Sequence, residues 1–186
     1  EALTDPQSLL TYFYAKENPD LARQAAWQLW RWAEDNEETR DNWPKVRTLW
    51  EWRLDQVDDP DAYAAEFQWF VDWLPLIADR AGFHELTQLL RDTSPLIARE
   101  RRAWETTETY LANHADDHPA SAIDVYTELM AQDSRPNGIS FTDTTASILE
   151  PGLDEEPDTR RAALDIAEEY FAEGDNTAEQ FLDDHT

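Results

Sequence analysis

The sequence predicts an all-α protein. Three observations carry this. A capping residue followed by proline recurs along the chain, and the apolar residues that follow it fall at helical spacing. Only four glycines are present in 186 residues. No run alternates apolar and polar residues as a half-buried strand would.

Each element follows from that punctuation. Asp5-Pro6 opens a helix over 6–17, with Leu9, Leu10, Phe13 and Tyr14 on one face. Asn18-Pro19 opens a second over 19–35, with Ala22, Ala26, Leu29, Trp30 and Ala33 in register. A third starts near Pro44 and aligns Val46, Leu49, Trp50, Arg53 and Val57. Asp59-Pro60 opens a fourth, whose stripe of Tyr63, Phe67, Phe70, Val71 and Leu74 is widened by Trp69 and Trp73. Pro75 is expected to kink or end it. A short helix is expected over 83–91. Ser94-Pro95 then reads as the start of another, reaching Ala115, with Ile97, Trp104 and Leu111 one heptad apart. Pro119 opens a helix to residue 131, with Ile123, Tyr126, Leu129 and Met130 inward. Residues 132–143 read as a loop, and 143–149 as a short helix. Pro151–Pro157 reads as an acidic linker. A helix over 157–173 aligns Ala163, Ile166, Ala167, Tyr170 and Phe171, with Gly174 placed to cap it. A last short helix covers 176–184, with Phe181 and Leu182.

Connections this short set consecutive helices antiparallel. The expected architecture is therefore stacked helical hairpins, like a HEAT or TPR solenoid or an irregular bundle, of about 8–10 helices. The whole chain, 1–186, is read as one helical domain. It is subdivided into an aromatic-rich array over 1–131 and acidic helices over 144–186.

Composition limits function. The chain carries 41 acidic and 15 basic residues, a net charge of -26, and only two of the cations are lysines, Lys16 and Lys45. The imbalance is uneven. Residues 1–104 hold 20 acids and 12 bases, whereas residues 105–186 hold 21 acids and 3 bases. In dilute buffer such charge strains a compact fold. At molar salt the Debye length falls to about 3 Å and the repulsion is screened. The expected setting is the high-salt cytoplasm of a halophile. The same charge disfavours nucleic acid and anionic membrane, which require neutralising cations. The absence of cysteine removes disulfides, Cys-ligated zinc and thiol catalysis. No apolar run reaches the length of a membrane span, and no secretory leader pattern opens the chain. The first residue is Glu1 rather than Met, which leads to the expectation of a piece of a longer protein.

Candidate chemistry is sparse. His114 and His118 are four apart, as zinc ligands on a helix would be. Ala115 stands where a zinc protease carries its general base, however, and Pro119 follows at once, so a helix terminus is expected. Asp154, Glu155, Glu156 and Asp158 lack the turn glycine that a calcium loop places within its ligands. No phosphate loop, nucleophile elbow or catalytic constellation is present, so no catalytic residue and no cofactor is assigned. The few cations and the tryptophans are better candidates. Arg99, Arg101 and Arg102 form the one basic cluster and are interface candidates for an anion or a partner's acidic edge, with internal or intersubunit ion pairing to neighbouring acids the expected role. Trp27, Trp32 and Trp52 fall off the main apolar faces, and are the expected contacts to another domain or subunit.

The string Leu49-Trp50-Glu51-Trp52-Arg53-Leu54 is the most distinctive. It is followed by the aromatic helix through Glu66-Phe67-Gln68-Trp69-Phe70, the acidic turn before Pro119, and the closing Arg160–Phe171, Gly174-Asp175 and final helix. This order resembles the C-terminal all-helical region of very large prokaryotic proteins that carry an NTPase or nuclease-type effector and are suspected of acting in antiviral defence. The resemblance spans about residues 20–184 and departs from that pattern in its acidity and at 132–143. It implies a helical sensor or scaffold without its own chemistry, whose partner is a protein or another domain of the same chain. The alternative reading is a self-contained all-α metal-dependent enzyme or ligand-binding domain. The third is a homo-oligomeric structural protein.

Overall fold

The computed structural model describes residues 18–78, 81–132, 136 and 138–185, and the helix expected over 6–17 lies outside them. The described residues are mostly helical, with no strand among them. In order, the helices are α1 Pro19–Asp35, α2 Glu37–Arg40, α3 Trp43–Leu54, α4 Pro60–Val71, α5 Leu74–Ile77, α6 Phe83–Ile97, α7 Arg101–Ala112, α8 Pro119–Met130, α9 Asp143–Leu149, α10 Pro157–Ala172 and α11 Asn176–His185. A 3₁₀ helix, Glu150–Asp154, joins α9 to α10.

Contacts gather into two compact units, Glu1–Thr106 and Thr107–Thr186, and the division falls inside α7. It lies close to the break in charge and also sorts the aromatics, since all nine tryptophans belong to the first unit.

In the first unit α4 packs against both α1 and α6, and α3 packs on α6. The most extensive of these pairings joins α1 to α4, with two helices between them along the chain. Two helix starts follow the expected rule, whereas His118 before Pro119 makes no capping side-chain bond. Asn18 accepts from the backbone N–H of Asp20 and Leu21 at 3.1 and 3.3 Å, and Asp59 accepts from Ala62 at 3.3 Å. The core holds Trp50, Phe67, Phe70, Trp73, Leu74, Ile77, Leu86, Leu90 and Ile97, all fully buried. Trp50 stacks on Phe70 at 5.6 Å between centroids, and its indole N–H donates to Thr93 Oγ1 at 2.9 Å. A buried indole needs such a partner, because an orphaned donor costs about 1–3 kcal/mol.

Two prolines act differently from expectation. Pro95 does not begin a helix. It sits in the last turn of α6, which runs on to Ile97 and closes with Ala98 N–H on Ser94 O at 3.1 Å. Ser94 is therefore buried inside α6 rather than capping, and its hydroxyl donates to Leu90 O at 2.9 Å. One helix thus replaces the expected break between 83–91 and 95–115. Pro75 likewise opens α5 from its first turn, while α4 has already ended at Val71.

In the second unit α10 packs against α8, the 3₁₀ helix and α11. Pro151–Pro157 is not simply a solvated linker, because Gly152 and Leu153 are buried within the 3₁₀ turn. A Cβ at residue 152 would overlap Ile123 Cδ1, so a larger residue there would force that buried side chain to shift. Gly174, at φ +94°, ends α10. Its N–H donates to Phe171 O at 2.8 Å, and that of Asp175 to Tyr170 O at 3.1 Å, the paired bonds of a Schellman cap. Phe171, expected inward, is 45% exposed. A buried polar knot fills the interior, where Tyr126 Oη donates to Glu108 Oε1 at 2.5 Å and lies 2.7 Å from Tyr170 Oη. Burial first, then the Glu108 charge, pushes the Tyr126 phenol well above its ordinary value.

Candidate functional site

Among the described residues, the large apolar side chains most exposed in the first unit sit on α1. Leu21, Trp27 and Trp32 are 39%, 43% and 42% exposed. The opposite ridge of Ala22, Ala26, Leu29 and Ala33 is buried. Five residues of helix rotate Trp32 roughly 140° from Trp27. Arg31 projects between them and is already neutralised, with Nη1 at 2.6 Å from Glu34 Oε2 and Nε at 3.3 Å from Asp35 Oδ2. α1 holds three acids against two bases, so its outer face is nearly neutral in a chain of net charge -26.

Trp52 has a different environment. It is half-buried, and the Arg53 guanidinium lies 5.7 Å from its ring centre. Arg53 itself, 3% exposed, makes a two-pronged ion pair with Glu66: Nε to Oε1 at 2.8 Å and Nη2 to Oε2 at 2.9 Å. The Tyr63 ring covers the same guanidinium at 5.2 Å. The sequence reading put Arg53 on an apolar stripe but did not pick out its partner; the available signal was Glu66, three residues after Tyr63 and four before Phe70 within another apolar stripe.

The three arginines of the basic cluster all engage acids of the first unit. Arg99 Nη1 lies 2.5 Å from Asp61 Oδ1, and Arg101 Nη1 lies 3.9 Å from Glu105 Oε1. Arg102 enters a more structured setting. Its guanidinium lies 5.6 Å from the Trp30 ring centre and 5.0 Å from that of Trp69, and the two rings are 5.1 Å apart. Nη2 reaches Asp72 Oδ2 at 3.0 Å. Trp30 is held in turn by its indole N–H, which donates to Asp72 O at 3.0 Å. Thr106 Oγ1 donates to Asp72 Oδ1 at 3.3 Å. Burial dominates at Asp72 and raises its carboxyl above the ordinary value, although Arg102 and the hydroxyl oppose this. Asp72 and Thr106 carried no sequence signal, because they come together only through the fold.

His114 and His118 do not share a helix face. His114 lies in the turn after α7 with its ring 4.7 Å from that of Tyr110, and His118 is the N-cap residue of α8. Among the described residues no group of three His, Asp or Glu side chains is arranged to hold a metal ion. No described helix is long and apolar enough to cross a membrane. An open groove of about 440 Å³ is lined by Leu54, Val57, Pro60, Pro95 and Leu96, with Glu51, Asp55 and Asp92 at its rim.

No family model, curated protein or solved structure matches this chain.

Proposed function

We propose that this chain is a non-enzymatic helical module that binds a protein, or another domain of its own longer chain, through the outer face of α1. The observation that carries this reading is the pair Trp27 and Trp32, both more than 40% exposed on one nearly neutral helix. A salt-adapted surface excludes partners through its charge and hydration, and the nearly neutral outer side of α1, flanked by these two rings, is where it admits one. Tryptophan at such a position supplies large, rigid contact area. Covering the exposed two-fifths of two side chains of about 200 Å² each removes about 160 Å² from water, worth about 4 kcal/mol. The resemblance to the helical regions of large prokaryotic defence-type proteins supports the same reading, as does the lack of a catalytic constellation. The acidic composition supports a high-salt cytoplasmic setting, with neither nucleic acid nor membrane as partner.

The test is a paired isolation from the native cells of the tagged chain and its Trp27→Ser/Trp32→Ser variant. Equal helicity by circular dichroism serves as the folding control. A protein retained by the first and absent from the second is expected. Identical sets of retained proteins would refute the reading.

A further inference from the structure

Trp30, Trp69 and Asp72 form the walls and floor of a cation site. Two aromatic faces and a carboxylate that is 4% exposed converge on one point. This is how proteins hold guanidinium and quaternary ammonium groups. The walls are set independently of the occupant, because Trp30 is tied to Asp72 O and Asp72 Oδ1 is held by Thr106. The occupant is the chain's own Arg102, whose side chain remains 52% exposed. Nη2 is 3.0 Å from Asp72 Oδ2, and Arg102 and Gln68 both bond this carboxylate, so an external guanidinium would take over the contact that Arg102 makes. Asp72 cannot be left bare, since an unpaired buried carboxylate is strongly unfavourable. Departure of Arg102 is thus tied to entry of another cation.

We propose that this is an exchangeable guanidinium site, latched by Arg102 and opened when an external guanidinium displaces it. The ligand class is a planar cation that packs against the paired tryptophan rings, as Arg102 does at 5.6 and 5.0 Å from their centres, and donates to a carboxylate. It comes either from a small organic cation or from an arginine side chain of a partner. The proposal does not depend on the role of Trp27 and Trp32.

The probes are methylguanidinium and acetyl-arginine amide, titrated calorimetrically at constant ionic strength in molar KCl. The proteins are the whole chain, Arg102→Gln and Arg102→Gln/Trp69→Ala. Self-occupancy of about 90% would weaken apparent affinity about tenfold. Expected is saturable 1:1 binding to the unaltered chain, about tenfold tighter binding to Arg102→Gln, and loss in the double variant. Binding of both probes points to a side-chain ligand as well, and binding of methylguanidinium alone to a small free cation. Binding to Arg102→Gln but never to the unaltered chain would overturn exchange and leave Arg102 a fixed strut. Absence of binding to both, or binding unaffected by Trp69→Ala, would overturn the site. Should Arg102→Gln lose its helicity, the unaltered chain against Trp69→Ala alone carries the same decision.

Discussion

Replacing Arg53 with methionine should be among the most damaging single changes in the first unit. Arg53 and Glu66 are 3% and 1% exposed and meet through two hydrogen bonds of 2.8 and 2.9 Å. Removing the guanidinium leaves a carboxylate buried without its opposite charge, which costs about 3–5 kcal/mol. The contacts with Trp52 and Tyr63 add about 0.5–2 kcal/mol. A loss near 4 kcal/mol is a large share of the 5–15 kcal/mol that a typical domain possesses. At about 2–4 °C per kcal/mol for a chain of this size, Tm should fall by about 8–16 °C. The Arg53→Met/Glu66→Met pair removes both charges and should recover to within about 1 kcal/mol of the unaltered protein, or exceed it. The assay is urea unfolding of all four members of the cycle in 2 M KCl, followed by tryptophan fluorescence. Two results would refute the reasoning. One is Arg53→Met within about 1 kcal/mol of the unaltered protein. The other is a double variant no better than the single, which would mean that packing rather than charge is lost.

Three further outcomes are expected. Gly152→Ala should cost about 1–3 kcal/mol through overlap with Ile123 Cδ1, and Ile123→Val, which lacks that methyl, should restore most of it; thermal unfolding of the pair checks this. Asp175 is subject to burial, which raises its carboxyl, but backbone N–H groups of Phe141, Thr177 and Ala178 outweigh this and hold it below the ordinary 3.8. Its stabilising effect is therefore fully present above that value and lost as pH falls through the lower folded-state value; Asp175→Ala should cost about 1–2 kcal/mol near neutrality, with the gap closing in acid unfolding below pH 3.8. Lowering KCl from about 2 M to 0.1 M should depress Tm through unscreened repulsion, and a flat or rising Tm would contradict the salt-adapted reading.

The helices were legible where local chemistry decides them. Asn18-Pro19 and Asp59-Pro60 each combine a capping side chain with a proline that needs no hydrogen bond, and both start helices where expected. Ser94-Pro95 has the same letters but lies within α6, because the flanking Leu89, Leu90, Leu96 and Ile97 are all needed in one buried face. Tertiary burial there outweighs a cap. Gly152 shows the same limit, since only the nearness of Ile123 turns an apparent linker into a packed turn. In the candidate site, helical spacing separated Trp27 and Trp32 from the buried ridge correctly. It placed Trp52 with them, although Arg53 and its surroundings draw that ring half inside. Arg102 was found as part of a basic run, but the site it fills is built from Trp30 on α1, Trp69 on α4 and Asp72 just beyond α4. No spacing rule joins residues from separate helices.

The outer face of α1 should be covered when the protein works. This is tested most directly by ¹⁹F NMR of 5-fluorotryptophan protein, with Trp27 and Trp32 assigned by substitution. The solvent-isotope shift of each ring is compared between the chain alone and its isolated native assembly. The account predicts large shifts for both in the chain alone, as their 43% and 42% exposure requires, and loss of both in the assembly. Two rings that stay as open to solvent in the assembly as in the free chain would contradict it.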